Sequence, residues 1–132
     1  DTTDSWGYTT ATYRQANGNA SNQLDFIIGV QEDVVIAHVT GSARNTNVGV
    51  SANVGIGIDS TTINGALLTP FWQTQIANVS VPLFSDYVGF IAVGNHTLRW
   101  LEISDAVGAT TWHGDAGDNT RYRSGIIGSL WC

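Results

Sequence analysis

The sequence predicts an all-β fold, an antiparallel β-sandwich of eight or nine strands. Thr, Val and Ile, whose side chains branch at Cβ and suit a pleated strand, account for 38 of the 132 residues. Glu occurs only twice and Lys and Met are absent, so most strong helix formers are missing. Short apolar stretches alternate with turns rich in Gly and Asn. Because no linker or repeat interrupts this pattern, we expect one domain over residues 1–132.

The first three strands are predicted from local runs of β-branched and apolar residues. Residues 6–14 alternate weakly between Thr and Tyr, residues 23–29 contain the run Phe-Ile-Ile, and residues 34–39 read VVIAHV. Asn17-Gly18 suits the positive φ of a turn in the first connection. Residues 41–45 are expected to turn the chain after the third strand.

The clearest strand signal runs from residue 46 to residue 59. Six apolar residues occupy every second position there, namely Val48, Val50, Ala52, Val54, Ile56 and Ile58. A period of two predicts one long strand with these side chains in the core. The other face carries three glycines, which predicts either a close approach by another part of the chain or a bulged, irregular strand.

The second half of the chain predicts five more strands, over residues 76–84, 87–93, 96–103, 109–112 and 124–131. The first of these alternates, and Pro82 on its polar face indicates an edge strand, because proline has no N–H to donate to a neighbour. Together with the earlier elements, these strands have the spacing of an antiparallel sandwich.

Charge and composition exclude several classes of function. The formal net charge is −6, and all five basic residues are arginines spread along the chain. Nucleic acids and anionic membrane surfaces are bound by clustered cations, so neither is an expected partner. No apolar run approaches the roughly 20 residues of a membrane-spanning helix, and we expect no membrane insertion. The single cysteine, Cys132, excludes a disulfide within one chain.

No arrangement of residues points to catalysis or to a cofactor, and we expect neither. Glu32 and Glu102 are the two glutamates, and either could pair with an aspartate for glycoside hydrolysis. The alternative, which we favour, is that Glu102 balances a nearby arginine. In the segment 113–119, Asp115 and Asp118 offer oxygen ligands for calcium, but such Asp/Asn/Gly clusters are more typical of turns. We therefore expect no required metal site.

Four predicted strands, over residues 34–39, 87–93, 96–103 and 124–131, carry apolar residues on both faces. A sandwich buries only one face of each sheet in its own core, so loops or another subunit must cover the second face. The charged fraction of 12% is also low, and the centres of interfaces are depleted of charge. The sequence therefore predicts a homo-oligomer.

The chain also contains five tryptophans, which can serve as core residues, interface residues or platforms for a sugar ring. Trp72 and Trp100 are the candidates for a glycan platform. The alternative function is therefore a carbohydrate-binding module or lectin that uses an exposed tryptophan.

Four segments of the second half, YVGFIAV, GNHTLRWLEI, the HGDAGDNT loop and RYRSGIIGSLW, resemble tumour-necrosis-factor-like and complement-head-like jelly rolls. The longer segment GNHTLRWLEISDAVGATTWHGD resembles C-terminal segments of bacteriophage tail-fibre tips, head fibres and capsid decoration proteins. The N-terminal segment YRQANGNASNQLDFIIGVQED resembles them more loosely. Together these segments make the chain similar to virion jelly-roll proteins.

This resemblance implies a jelly-roll sandwich that forms a homotrimer on the virion surface. Its role would be either to clamp the capsid shell as a decoration or cement protein, or to bind a host surface glycan as a fibre tip. In this family one sheet, which includes the terminal strand, lines the trimer axis. The resemblance thus implies Tyr87, Phe90, Ile127 and Trp131 as candidate interface residues, and it transfers no catalytic residue.

Overall fold

The computed structural model, which describes residues 1–31, 33–118 and 120–131, confirms the antiparallel all-β sandwich. Within these residues the chain has no α-helix, only a 3-10 turn at Ala16–Gly18, and so none that could span a membrane. The strands are β1 (Ser5–Gly7), β2 (Arg14–Gln15), β3 (Gln23–Ile28), β4 (Val34–Asn45), β5 (Ala52–Ile58), β6 (Val81–Phe90), β7 (Gly94–Ser104), β8 (Thr110–His113) and β9 (Gly125–Trp131).

Each sheet is organised around one long central strand. In the first sheet, β4 pairs with β6 along one edge and with β9 and then β8 along the other, and β1 follows β8. In the second sheet, β7 pairs with β5 along one edge and with β3 and β2 along the other. Most connections cross between the sheets, the exceptions being β2–β3 and β8–β9. Neighbours in space are therefore distant in sequence.

The core lies between the two sheets and is centred on two tryptophans. Trp100 of β7 and Trp112 of β8 are fully buried, together with aliphatic side chains of β4, β5 and β7. The ring of Trp6 packs edge-on against that of Trp100, with 5.9 Å between their centroids. The indole N–H of Trp112 donates to the carbonyl of Tyr8 at 3.0 Å. The aromatic rings thus fill the interior and also fasten the N-terminal segment to it.

The strand predicted over residues 46–59 is shorter than its pattern indicates, because β5 begins at Ala52. The core prediction is correct for Val54 and Ile56 but wrong for Val48, which is 62% exposed. The reason is Gly49, which has a φ of +78° and donates its N–H to the carbonyl of Thr74 at 2.7 Å. This turn precedes β5, so the paired strand starts four residues after the sequence alternation starts.

Three other strand boundaries differ from the predictions. The first predicted strand divides into β1 and β2, which lie in different sheets. The turn expected at residues 41–45 is absent, because β4 continues through Asn45. At Gly41, which has no side chain, β4 passes close to Val54 of β5. Residues 76–80 form a turn, in which Asn78 has a φ of +62°, so the strand predicted at 76–84 starts only at Val81. It then continues without a break into the strand predicted at 87–93, and the two form the single strand β6. As Pro82 predicted, β6 lies at the edge of its sheet.

The glycine face of β5 is covered by the segment that follows the strand. A Cβ atom at Gly55 would lie 2.7 Å from Oδ1 of Asn64, and one at Gly57 would clash with the backbone oxygen of Ser60. The side chain of Asn64 accepts the N–H of Ile56 at 3.0 Å and so fixes the segment in place. Of the two readings of these glycines, the close approach is correct.

Candidate interaction surface

Six large apolar side chains are exposed on the outward side of β9, β4 and β6. We call this surface the outer face. Its apolar members are Ile36, Phe84, Val88, Phe90, Ile127 and Trp131, and each is more than one-third exposed. They point outward because β4 alternates strictly, burying every second residue against the core, and its partners follow the same register.

The pairing register makes these side chains contiguous. Val34 has Phe90 beside it on one neighbouring strand and Trp131 on the other. Two residues further along β4, Ile36 lies beside Val88. Directly opposed residues in an antiparallel sheet have Cβ atoms about 4.5–5.5 Å apart. The register therefore gives one continuous apolar patch across the three strands at this end of the outer face, made of Val34, Ile36, Val88, Phe90 and Trp131.

A single pair of charged groups lies in the middle of the outer face. Nδ1 of His38 is 2.6 Å from Oδ1 of Asp86, and Ile127 flanks His38 on the side of β9. Among the described outward positions of residues 34–40, 84–90 and 125–131, no other side chain is charged. Among its described positions the outer face thus presents a single hydrogen-bonded pair, His38 and Asp86, surrounded by uncharged side chains.

The structure brings three of the four predicted interface residues together. Phe90, Ile127 and Trp131 all lie on the outer face and are exposed, whereas Tyr87 lies on the opposite side of β6 and is buried in the core. This corrects the expectation for Tyr87: alternation along the strand places Val88, its neighbour, on the surface instead. Ile36, Phe84 and Val88 were missed, and the register of β4 with β6 in the folded sheet is what places them on this side.

The two tryptophans predicted as a glycan platform have different environments. Trp100 is fully buried, so it cannot contact a sugar, and that expectation is corrected. Trp72 is half-buried and lines a surface groove of about 240 Å³ together with Phe71 and Phe84. Phe71, which sequence reasoning did not single out, is 76% exposed. The groove adjoins the outer face, because Phe84 belongs to both.

Glu102 of β7 occupies a closed site and has no exposed surface. Its Oε1 accepts the Nε–H of Arg14 at 2.7 Å and the N–H of Asn17 at 3.1 Å, and its Oε2 accepts the indole N–H of Trp6 at 2.7 Å. Desolvation raises the pKa of Glu102 above its usual value, although the three donors act in the opposite direction. Glu102 thus balances Arg14, as favoured from the sequence. Glu32, the other glutamate, lies outside the described residues.

The described part of the acidic loop, residues 113–118, has the hydrogen bonds of turns. Oδ1 of Asp115 accepts the N–H of Gly117 at 3.0 Å, and Oδ1 of Asp118 accepts the N–H of Thr120 at 3.1 Å. In the described part of the chain, no group of three or more His, Cys, Asp or Glu side chains is placed to hold a metal ion. That no metal is required in this loop stays a prediction.

Comparisons with known proteins assign no family to the chain. No protein-family model matches the sequence, and no curated protein is significantly similar to it. A solved structure, the C-terminal domain of the sugar-binding protein EclA, matches with a TM-score of 0.42 and 12% identity over 98% of this chain and 80% of that one. The function of this chain is therefore inferred from its own side chains.

Proposed function

We propose that this chain is a non-enzymatic structural protein that self-associates through the outer face. We further propose that it acts on the surface of a bacteriophage particle, either as a capsid decoration protein or as a fibre tip. The observation that carries the first proposal is the continuous apolar patch across β9, β4 and β6.

The apolar patch supports association because its burial is favourable. Transfer of apolar surface out of water contributes about 25 cal/mol per Å². Monomeric proteins rarely expose large contiguous apolar patches, and those that occur often mark binding surfaces. Trp131 and Phe90, the largest side chains of the patch, are of the aromatic type that is enriched at interfaces. Covering the outer face would remove both from water.

Charge favours a second copy of this chain as the occupant. The chain has a formal net charge of −6, so most approaches between two copies bring like charges together. The outer face differs, because Asp86 is the one acidic side chain among its described outward positions and is hydrogen-bonded to His38. Two copies can therefore meet at this face with little electrostatic repulsion.

The trimer and the virion setting are supported by the resemblance to virion jelly rolls. In those proteins the sheet that contains the terminal strand lines the trimer axis, and in this chain the terminal strand β9 supplies Ile127 and Trp131 to the outer face. On this proposal three copies place their outer faces around a common axis. The capsid shell and a host surface glycan remain the two candidate partners of the assembled trimer.

Self-association is tested by the mass of the purified chain in solution. Light scattering at tens of micromolar is expected to give three times the 14.1 kDa mass of one chain. Ile127→Asp is expected to shift the mass to that of the monomer, because it places three desolvated charges at the contact. Ile63→Asp is the matched control, since Ile63 is 70% exposed and Ile127 is 69% exposed, but Ile63 lies in the β5–β6 connection.

Two results would contradict the proposal. One is a monomer mass for the unmodified chain across the concentration range. The other is an oligomer that Ile63→Asp dissociates as readily as Ile127→Asp does. A stable dimer would support self-association through the outer face while refuting the trimer.

The groove beside the outer face favours carbohydrate binding as a second candidate function. Phe71 and Trp72 both line the groove, and none of the described residues that line it carries a charge. The C–H face of a pyranose ring stacks on aromatic rings of this kind, and Asn53 lines the same groove as a polar residue. A neutral glycan is thus the ligand class that this groove fits.

Glycan binding is tested by a screen against neutral oligosaccharides, followed by titration of any ligand found. Phe71→Ala is expected to weaken binding about tenfold, which corresponds to about 1.4 kcal/mol. Tyr122→Ala is the control, because Tyr122 is an aromatic residue that is 57% exposed and lies outside both the groove and the outer face. Absence of binding to every glycan, or an equal loss in both variants, would count against this candidate.

A further inference from the structure

His96, near the start of β7, lies between two hydrogen-bond acceptors. Its Nδ1 is 2.7 Å from Oδ2 of Asp59, which immediately follows β5. Its Nε2 is 2.7 Å from the carbonyl oxygen of Ala92, in the connection between β6 and β7. The side chain of His96 is 13% exposed, whereas that of Asp59 is 48% exposed, so the contact with Asp59 lies at the surface.

These two contacts determine the protonation state of the ring. A backbone carbonyl can only accept, so Nε2 must carry a proton. An ionised carboxylate also only accepts, so Nδ1 must carry one as well. A neutral imidazole has a single N–H and would direct a lone pair at one of the two oxygens. The geometry therefore fits the imidazolium cation and neither neutral tautomer.

The same cluster joins three segments of the chain. Asp59 has a φ of +53°, and its N–H donates to the carbonyl of Thr97 at 2.9 Å. Its Oδ1 accepts the N–H of Thr97 at 2.8 Å while Oδ2 contacts His96. Through Nε2, His96 also holds the β6–β7 connection. His96 thus ties both Asp59 and the β6–β7 connection to β7, and Asp59 is also held by its own two hydrogen bonds to the backbone of Thr97.

We propose that His96 is an imidazolium at neutral pH and acts as a pH-sensitive latch that closes the end of β5 and the β6–β7 connection onto β7. Loss of its proton opens the latch, because one of the two hydrogen bonds becomes a contact between a lone pair and an oxygen. Asp59 begins the long connection that carries Phe71 and Trp72, so the latch fixes the start of that connection. This inference does not depend on the proposed self-association.

The charged groups around His96 agree with this assignment. The hydrogen bond to Asp59 raises the pKa of His96 above its usual 6.5; desolvation opposes this shift, and the carbonyl of Ala92 and the charge of Asp59 add to it. For Asp59, desolvation is outweighed by the hydrogen bonds from His96 and Thr97, with the charges of His96 and Arg99, and its pKa falls below the usual 3.8. On β3, the ring centroid of Phe26 lies 5.8 Å from that of His96. Oδ1 of Asp25, also on β3, accepts a hydrogen bond from the hydroxyl of Thr97.

The directions of the two shifts give the pH range over which the latch is closed. The pKa of His96 is higher in the folded chain, so its contribution is complete below pH 6.5 and is lost as the pH rises through the folded value. The pKa of Asp59 is lower in the folded chain, so its contribution is complete above pH 3.8 and is lost as the pH falls through the folded value. The latch thus opens as the pH rises above 6.5 through the folded value of His96, and again in acid as the pH falls below 3.8 through the folded value of Asp59.

Nuclear magnetic resonance of the imidazole nitrogens tests the protonation state directly. At pH 7 both nitrogens of His96 are expected to carry protons, and the titration midpoint is expected to lie above 6.5. His113 is the comparison in the same spectrum, because desolvation and the charge of Arg44 lower its pKa. A single neutral tautomer of His96 at pH 7, or a midpoint at or below the usual value, would overturn the proposal.

Hydrogen exchange tests whether the ring acts as a latch. The protection factor of the Thr97 amide, corrected for intrinsic exchange, is expected to fall as the pH passes the His96 midpoint, about tenfold for each unit by which the pKa is raised. In His96→Gln this fall is expected to disappear, and Asp59→Asn is expected to return the midpoint towards its usual value. Both variants change partly exposed side chains and are checked for folding by near-ultraviolet circular dichroism. Protection in the unmodified chain that does not change with pH would contradict the latch.

Discussion

Val54→Asp is expected to prevent stable folding at 25 °C. Val54 is 1% exposed in the centre of the core, so a carboxylate there has neither water nor a positive partner. Its directly opposed residue on β7 is Glu102, which would bring two buried acidic groups side by side. Burial of an unpaired charge costs several kcal/mol, and the total stability of a domain is only about 5–15 kcal/mol. This single change can therefore remove most of the stability.

The measurement is equilibrium unfolding in urea, followed by tryptophan fluorescence. Val54→Thr is the matched variant, because it keeps the β-branched shape and adds only a hydroxyl, and it is expected to lose about 1–3 kcal/mol. Asn53→Asp is expected to be milder than Val54→Asp, since Asn53 faces the opposite side of β5. It still loses the amide group of Asn53, which in the orientation that satisfies its hydrogen bonds donates to the carbonyl oxygens of Ala52 and Pro70 at 2.9 and 3.0 Å. Equal losses for the two aspartate variants would show that the register of β5 is wrong.

Glu102→Ala is expected to lower the free energy of unfolding by about 3–5 kcal/mol, the range seen when one member of a buried ion pair is removed. The carboxylate joins three separate segments through Trp6, Arg14 and Asn17. Its loss leaves a buried indole N–H and a backbone N–H without acceptors and opens a cavity. Arg14, which is one-third exposed, recovers part of its hydration. The variant is expected to melt roughly 10–20 °C lower.

Thermal unfolding of two further variants separates the charge from the hydrogen bonds. Glu102→Gln keeps one acceptor oxygen and the side-chain volume, so its loss is expected to be smaller than that of Glu102→Ala. Arg121→Ala removes an exposed ion pair with Asp118, where the two groups are 3.4 Å apart, and is expected to leave the melting temperature unchanged. A Glu102→Ala variant as stable as Arg121→Ala would show that the buried cluster contributes nothing.

The outer face was predictable in part. Alternation along β9 indicates that Ile127 and Trp131 share a side, and the two-faced apolar strands indicate that one side needs a cover. Tyr87 was assigned to the wrong side because both faces of an almost wholly apolar strand look alike in the sequence. Which face turns towards the core is decided by the pairing of β6 with β4 in the folded structure. Phe71 was missed because residues 60–73 follow no period, and exposure in such a segment is not encoded by spacing.

The sequence by itself determined the fold class, most of the strands and the apolar character of both sides of the first sheet. These properties depend on the strand preference of each residue and on the alternation of apolar and polar residues along a strand, and both can be read from residues that are adjacent in the sequence. Tertiary structure alone decided which groups meet: Glu102 contacts Arg14 across 88 positions, and His96 contacts Asp59 across 37. The physical reason is that most connections cross between the sheets, so each contact depends on the register and packing of two distant strands. Local preferences specify neither.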